Sequence, residues 1–171
     1  MCAHMLRLLI TTALGGVIAI WATHPLPVIG QSRGDVDEDK LLLGTWKLNV
    51  AKSKYKAGIP PQNQIRTYEP SGQGVKATVK TTYANGRSTT VEYVANYDSV
   101  EYPVTGAPDA DTIALKKVAP RTAEAVLSHA GQVMATVRRV ISEDGKTMTI
   151  AYQGTLLGER ADYIAVYDKQ N

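Results

Sequence analysis

The chain has 171 residues, of which 19 are basic and 16 acidic, so its formal net charge at pH 7 is only +3. The two signs are interspersed rather than gathered into a basic patch, so we expect one domain and no binding of nucleic acid. Cys2 is the only cysteine, which excludes a disulfide framework and leaves no cysteine nucleophile or metal ligand in the rest of the chain.

Residues 1–30 have the pattern of a secretory signal peptide. Arg7 supplies the positive end, and an apolar stretch follows over residues 8–21. We predict cleavage after Gly30, with cleavage after Ala22 as the alternative. The apolar stretch is shorter than the roughly 20 residues that span a bilayer. We therefore expect an exported protein, periplasmic or secreted, without stable membrane insertion after cleavage; an uncleaved anchor stays open as the other interpretation.

Residues 31–40 are polar and acidic, and we interpret them as a solvated leader to a folded domain at 41–171. Within that domain the hydrophobic period is two rather than 3.6. Apolar and polar residues alternate over 75–82 and again over 90–97, which is typical of half-buried antiparallel strands. Asn85-Gly86 lies between these runs and predicts a two-residue hairpin turn.

The same reading along the domain predicts nine short strands, near 42–50, 64–70, 74–83, 88–97, 112–118, 123–129, 132–142, 147–155 and 160–168. Residues 51–62 and 98–111 are predicted as longer crossings. Sequential short strands with tight turns favour an all-β fold, an up-and-down antiparallel β-barrel of about 8–10 strands, because closure removes exposed edges. An open sandwich is the alternative.

A barrel of this size either fills with side chains or encloses one small ligand. Several predicted strands place tyrosines beside alanines, which would leave space and supply hydroxyl groups to a cavity. The predicted cavity tyrosines are Tyr93, Tyr97, Tyr152, Tyr163 and Tyr167. The other interpretation is that these tyrosines face outward, as residues with a high β propensity.

The two ends of the domain resemble a known group of barrels. Gly44-Thr45-Trp46-Lys47-Leu48 at the start and Tyr167-Asp168-Lys169 at the end resemble the lipocalin and fatty-acid-binding (calycin) barrels, and the domain also resembles exported bacterial lipocalin-like proteins. The resemblance implies that Trp46 packs across the closed end of the barrel. It also implies that Gly44 lets the chain pass closely there. Both residues would then be structural.

The same resemblance directs attention to arginines. Fatty-acid-binding proteins hold a carboxylate with Arg-x-Tyr in the last strand, but the matching residues here are Ala165-Val166-Tyr167, so that arginine is missing. A second inward arginine of that family precedes the last Asp-Gly turn, where this chain has Arg138 and Arg139. Neighbouring residues of a strand face opposite sides, so one of the two should point inward. Because one of the family's two arginines is missing, the resemblance does not specify a simple fatty acid, and sterol-like, aromatic and polyketide-like ligands stay open.

These observations predict binding or transport of a small hydrophobic or amphipathic ligand by a monomer that needs no cofactor and no metal. Catalysis has little support, because His129, beside a turn, is the only histidine after residue 30 and no hydrolase motif is present. One alternative is a barrel-hosted cyclase or isomerase that uses tyrosine and arginine hydrogen bonds. Another is an envelope interaction protein with a filled core.

Overall fold

The computed structural model describes residues 40–171, which start with a helical turn at 40–42 and continue as ten strands. In chain order the strands are β1 (Gly44–Ala57), β2 (Pro61–Ser71), β3 (Gly74–Tyr83), β4 (Ser88–Asn96), β5 (Asp98–Thr105), β6 (Thr112–Ala119), β7 (Thr122–His129), β8 (Gln132–Ile141), β9 (Thr147–Leu156) and β10 (Glu159–Lys169). The predicted signal peptide and nearly all of the predicted leader lie outside the described residues. Within residues 40–171, no helix is long and apolar enough to cross a membrane.

The ten strands form a closed antiparallel barrel. Each strand pairs with its neighbours in the chain, and β1 pairs with both β2 and β10, which closes the sheet. This confirms the predicted all-β, up-and-down barrel, and the open-sandwich alternative is wrong. The shortest pairing joins β4 and β5, which share only the pairs Glu92–Thr105 and Tyr93–Val104.

The prediction of a crossing at 51–62 is wrong, because most of this segment belongs to β1 and β2. The pairing of β1 with β10 jumps from Asn49–Val166 to Lys54–Ile164, so β1 carries a large bulge. Ser53 stabilises the bulge, since its Oγ donates to the Asn49 carbonyl (2.7 Å) and accepts the Val166 N–H (3.0 Å). The bulge interrupts the alternation of apolar and polar residues, so the pattern of a strand is lost there.

The second predicted crossing, 98–111, is also partly wrong, because its first eight residues form β5. Val104 is the only buried residue in this strand, so its sequence lacks the alternation that marks a half-buried strand. Pro103 adds to the loop-like composition. Only residues 106–111 form a loop, between β5 and β6.

One end of the barrel is closed by the start of the domain. Trp46 is fully buried, and its Nε1 donates to the Leu42 carbonyl at 2.8 Å, which ties the helical turn beneath the barrel. Lys169 Nζ lies 5.2 Å from the centre of the Trp46 ring and donates to the Leu41 carbonyl. Gly44 has a φ of 111°, and a Cβ built on it would meet only Lys169, at 3.5 Å. The backbone angle, rather than close passage of the chain, therefore requires glycine there.

Candidate functional site

An interior cavity lies in the part of the barrel away from Trp46, towards the opposite end. Its volume is about 140 Å³. A water molecule needs about 10–15 Å³ by this measure, so the cavity holds roughly ten waters or a small organic molecule. Most of its wall is aliphatic, formed by Val79, Val91, Val104, Ile113, Leu115, Leu127, Val137 and Ile150. The polar groups in it are few, which is the usual composition of a ligand pocket.

The structure places Arg139 inside the barrel and Arg138 outside. Arg139 lines the cavity, and its Nη2 donates to the Tyr97 hydroxyl at 2.7 Å. Arg138 points to solvent, with its side chain 53% exposed, and forms an ion pair of 2.6 Å with Glu124 across β7 and β8. Of the predicted pair, Arg139 is therefore the inward-facing arginine and Arg138 the outward-facing one. Neighbouring residues of a strand alternate between its two faces.

Arg66 on β2 is a second cavity arginine, and the sequence analysis missed it. Its guanidinium lies 5.1 Å from the ring centre of Tyr167, the tyrosine of the Ala-Val-Tyr triplet. The last strand lacks the arginine expected from the resemblance to fatty-acid-binding proteins, and Arg66 brings a guanidinium to the same tyrosine from another strand. The cavity thus has two arginines, not one.

Gln64 holds Arg66 in place. Its Oε1 accepts hydrogen bonds from Arg66 Nε (3.1 Å) and from the Tyr167 hydroxyl, while its Nε2 donates to Thr81 Oγ1 at 2.6 Å. Gln64 and Thr81 are both buried. A buried amide with hydrogen bonds on both its oxygen and its nitrogen fixes the neighbouring groups in one arrangement.

The two arginines are left without a negative partner. Among the described residues, no carboxylate forms an ion pair with Arg66 or Arg139; the groups that interact with the two guanidinium charges are tyrosine side chains. Arg139 Nε is buried and has no hydrogen-bond partner. Burial alone would lower the pKa of each guanidinium, but the neighbouring tyrosines outweigh it, so both arginines stay charged. Two guanidinium charges therefore face the cavity, while the two carboxylates that also line it, Asp109 and Glu124, bond to the β9–β10 turn and to Arg138 instead.

Tyr68 lies between the two arginines and responds to them. It lines the cavity, and the guanidinium of Arg139 is 5.5 Å from its ring centre. Burial raises the pKa of Tyr68, but Arg66 and Arg139 together outweigh burial and leave this pKa below its ordinary value. This shift has the sign expected of a site that stabilises an anion.

Three of the five predicted tyrosines line the cavity. Tyr93 does so beside Arg139, and burial is the main cause that raises its pKa. Tyr152 and Tyr163 also line it and stack on each other, with ring centres 4.9 Å apart and planes 2° from parallel. The Tyr152 hydroxyl donates to the Thr155 carbonyl. These rings form part of the apolar wall.

The other two predicted tyrosines stand behind the arginines rather than in the cavity wall. Tyr97 accepts the hydrogen bond from Arg139, and Tyr167 lies against Arg66 and donates to Gln64. Their position suits orientation of the guanidinium groups more than direct contact with a ligand.

Within the described residues, no group of three or more potential metal ligands lies together. His129 is 63% exposed at a turn, where its Nδ1 lies 3.4 Å from Asp111. It does not line the cavity.

Comparisons with known proteins show distant likenesses only. No protein-family model matches the chain, and no curated protein matches it. The structure of EF1p2_mFAP2b bound to DFHBI is 12% identical, with a TM-score of 0.47, over 78% of this chain and 97% of that one. The zebrafish ileal bile acid-binding protein complexed with cholic acid is 11% identical, with a TM-score of 0.45, over 76% and 99%. Neither likeness bears on the ligand of this chain.

Proposed function

We propose that this protein binds a small ligand that has an apolar body and an acidic group, inside the barrel. One observation supports this most strongly: two charged guanidinium groups face the same cavity, and one of them has a buried, unpartnered Nε. Burying a charge without a partner is costly, because the group loses its hydration and gains no compensating contact. An anion bound between Arg66 and Arg139 would supply that contact.

A carboxylate or a phenolate is the group that suits this pair of arginines. Charge-assisted hydrogen bonds to such an oxygen are short, and guanidinium groups present several donors in a fixed plane. Tyr68, whose pKa is lowered by the same two arginines, indicates that a negative oxygen is favoured at this position. The rest of the cavity offers aliphatic and aromatic surface, so the remainder of the ligand should be apolar.

The cavity volume limits the size of the ligand. About 140 Å³ suits a compact molecule rather than a long fatty acid. We therefore favour small aromatic or short branched acids. Export to the periplasm or the exterior, and a monomeric state without a cofactor, complete the proposal and rest on the sequence alone.

The test compares two probes of the same shape, 2-naphthoate and its neutral amide, 2-naphthamide, by isothermal titration calorimetry. Arg139→Met should weaken 2-naphthoate by about 10- to 150-fold, the equivalent of the roughly 1.5–3 kcal/mol of a charge-assisted hydrogen bond. Binding of 2-naphthamide should change little. Arg66→Met should act in the same direction.

Arg138→Met is the matched control, because it removes a neighbouring arginine from the outer face of the same strand. It should leave the affinity for both probes unchanged. If Arg138→Met and Arg139→Met have equal effects on 2-naphthoate, or if neither probe binds the wild-type protein, the proposed function is wrong.

A further inference from the structure

A short loop at the end of the barrel opposite Trp46 lines the cavity. We call residues 106–111, which join β5 to β6, the strap. Ala107, Pro108, Asp109 and Ala110 all line the cavity, so the strap forms part of its wall. Its tip meets the turn between β9 and β10, and β7 and β8 separate these two hairpins around the barrel. The strap therefore crosses the opening rather than following the rim.

Asp109 fastens the tip of the strap. Its carboxylate accepts the N–H of Leu157 and the N–H of Gly158, the latter at 2.9 Å. These two residues form the whole turn between β9 and β10, with φ values of 58° and 77°. A leucine rarely adopts a positive φ, so the carboxylate also stabilises a strained turn in the conformation that presents both N–H groups.

The two ends of the strap, Gly106 and Asp111, are its feet. They contact the rest of the barrel more closely than the tip, residues 107–110. Gly106 lies so close to β4 that a Cβ on it would meet the Thr90 carbonyl at 1.9 Å. Asp111 accepts the Val104 N–H on its carbonyl at 2.8 Å and the Ala130 N–H on its carboxylate at 3.0 Å. In the described part of the chain, the hydrogen bonds of Asp109 are the only ones that connect residues 107–110 to another segment.

We propose that the strap is the gate through which ligand reaches the cavity, and that the Asp109 carboxylate is its latch; this inference rests on the proposed function. Besides the packing of Ala107 against the core, the tip depends on the hydrogen bonds of one side chain, so loss of these bonds would allow the strap to swing open between its fixed feet. The other weak point of the wall, the short pairing of β4 with β5, is the competing route. Opening there would not depend on Asp109.

The test measures association and dissociation rates of 2-naphthamide by stopped-flow fluorescence. The neutral amide is used because loss of a carboxylate would attract an acid for electrostatic reasons alone. Asp109→Ala should raise both rates by at least about tenfold, which corresponds to about 1.4 kcal/mol at the latch. Asp109→Asn, which keeps one acceptor oxygen, should give an intermediate increase.

Asp111→Ala is the matched control, since it removes a carboxylate from a foot of the same strap and should leave the rates nearly unchanged. Hydrogen exchange of the Leu157 and Gly158 amides, measured without ligand, should be faster in Asp109→Ala than in the wild-type protein. If hydrogen exchange of these amides is unchanged in Asp109→Ala, the gate is wrong. It is also wrong if exchange is faster but 2-naphthamide associates and dissociates at unchanged rates. The proposed function stands in either case. Failure of both probes to bind the wild-type protein overturns the proposed function, and the gate with it.

Discussion

Gln64→Leu is the substitution that tests the polar framework of the cavity most sharply. Gln64 forms three hydrogen bonds, with Thr81, Arg66 and Tyr167. Leucine occupies a similar volume but can replace none of them. The Thr81 hydroxyl would be left as a buried polar group without Gln64, since Thr81 is only 4% exposed, and the Tyr167 hydroxyl would keep only Arg66. Arg66 would lose the acceptor that orients its Nε.

The size of the effect follows from the number of groups left unpartnered. Each buried polar group that loses its hydrogen-bond partner costs about 1–3 kcal/mol of stability. Arg66 can turn towards the cavity, so it contributes least to this loss. We expect Gln64→Leu to lower the free energy of unfolding by about 2–4 kcal/mol. It should also weaken 2-naphthoate more than 2-naphthamide, because Arg66 is no longer held in one position.

Urea denaturation followed by tryptophan fluorescence measures the stability, and calorimetry measures the two affinities. The double variant Gln64→Leu with Thr81→Val is the control, because it removes the Thr81 hydroxyl together with its partner. It should recover about 1 kcal/mol relative to Gln64→Leu alone. A loss below about 1 kcal/mol in Gln64→Leu, with equal changes for both probes, would show that Gln64 does not organise the site.

Two further predictions concern the barrel itself. Trp46→Ala should lower the free energy of unfolding by about 3–5 kcal/mol, as for other large-to-small changes of a fully buried residue. Trp46→Phe should lower it less. If Trp46→Ala had the stability of the wild-type protein, Trp46 would not close the barrel. Burial is the main cause that raises the pKa of Tyr55 and of Tyr152 to about 12 in the folded protein, above 10.0 for an unperturbed tyrosine. The contribution of these two tyrosines to stability is therefore fully present below pH 10 and is lost as the pH rises towards 12. The urea midpoint should fall over that range, and Tyr152→Phe should reduce the dependence of the midpoint on pH. A midpoint that is independent of pH would contradict the burial of these phenols.

The barrel was predictable because its signals are local and repeated. Alternation over 75–82, the Asn85-Gly86 turn and the Trp46 motif each indicate strands or their closure independently of the rest of the chain. β5 and the second half of β1 escaped prediction for one physical reason. In both, few side chains are buried, so no apolar period marks the strand.

The site was only partly predictable. The alternation of faces required that one arginine of the Arg138–Arg139 pair point inward, but the register that decides between them depends on pairing with distant strands. Arg66 was hidden because its inward neighbours on β2, Gln64 and Tyr68, are also polar. A strand whose inward face is polar resembles an exposed strand in sequence, and only the closed barrel shows that this face is buried.

We propose that an acidic group binds between Arg66 and Arg139. A crystal structure of the protein with 2-naphthoate would show whether it does. We expect the carboxylate to accept hydrogen bonds from the Arg139 guanidinium and to contact the Arg66 guanidinium, with the naphthalene ring against the aliphatic wall. A probe bound outside the barrel, or inside it with the carboxylate turned away from both arginines, would contradict the claim.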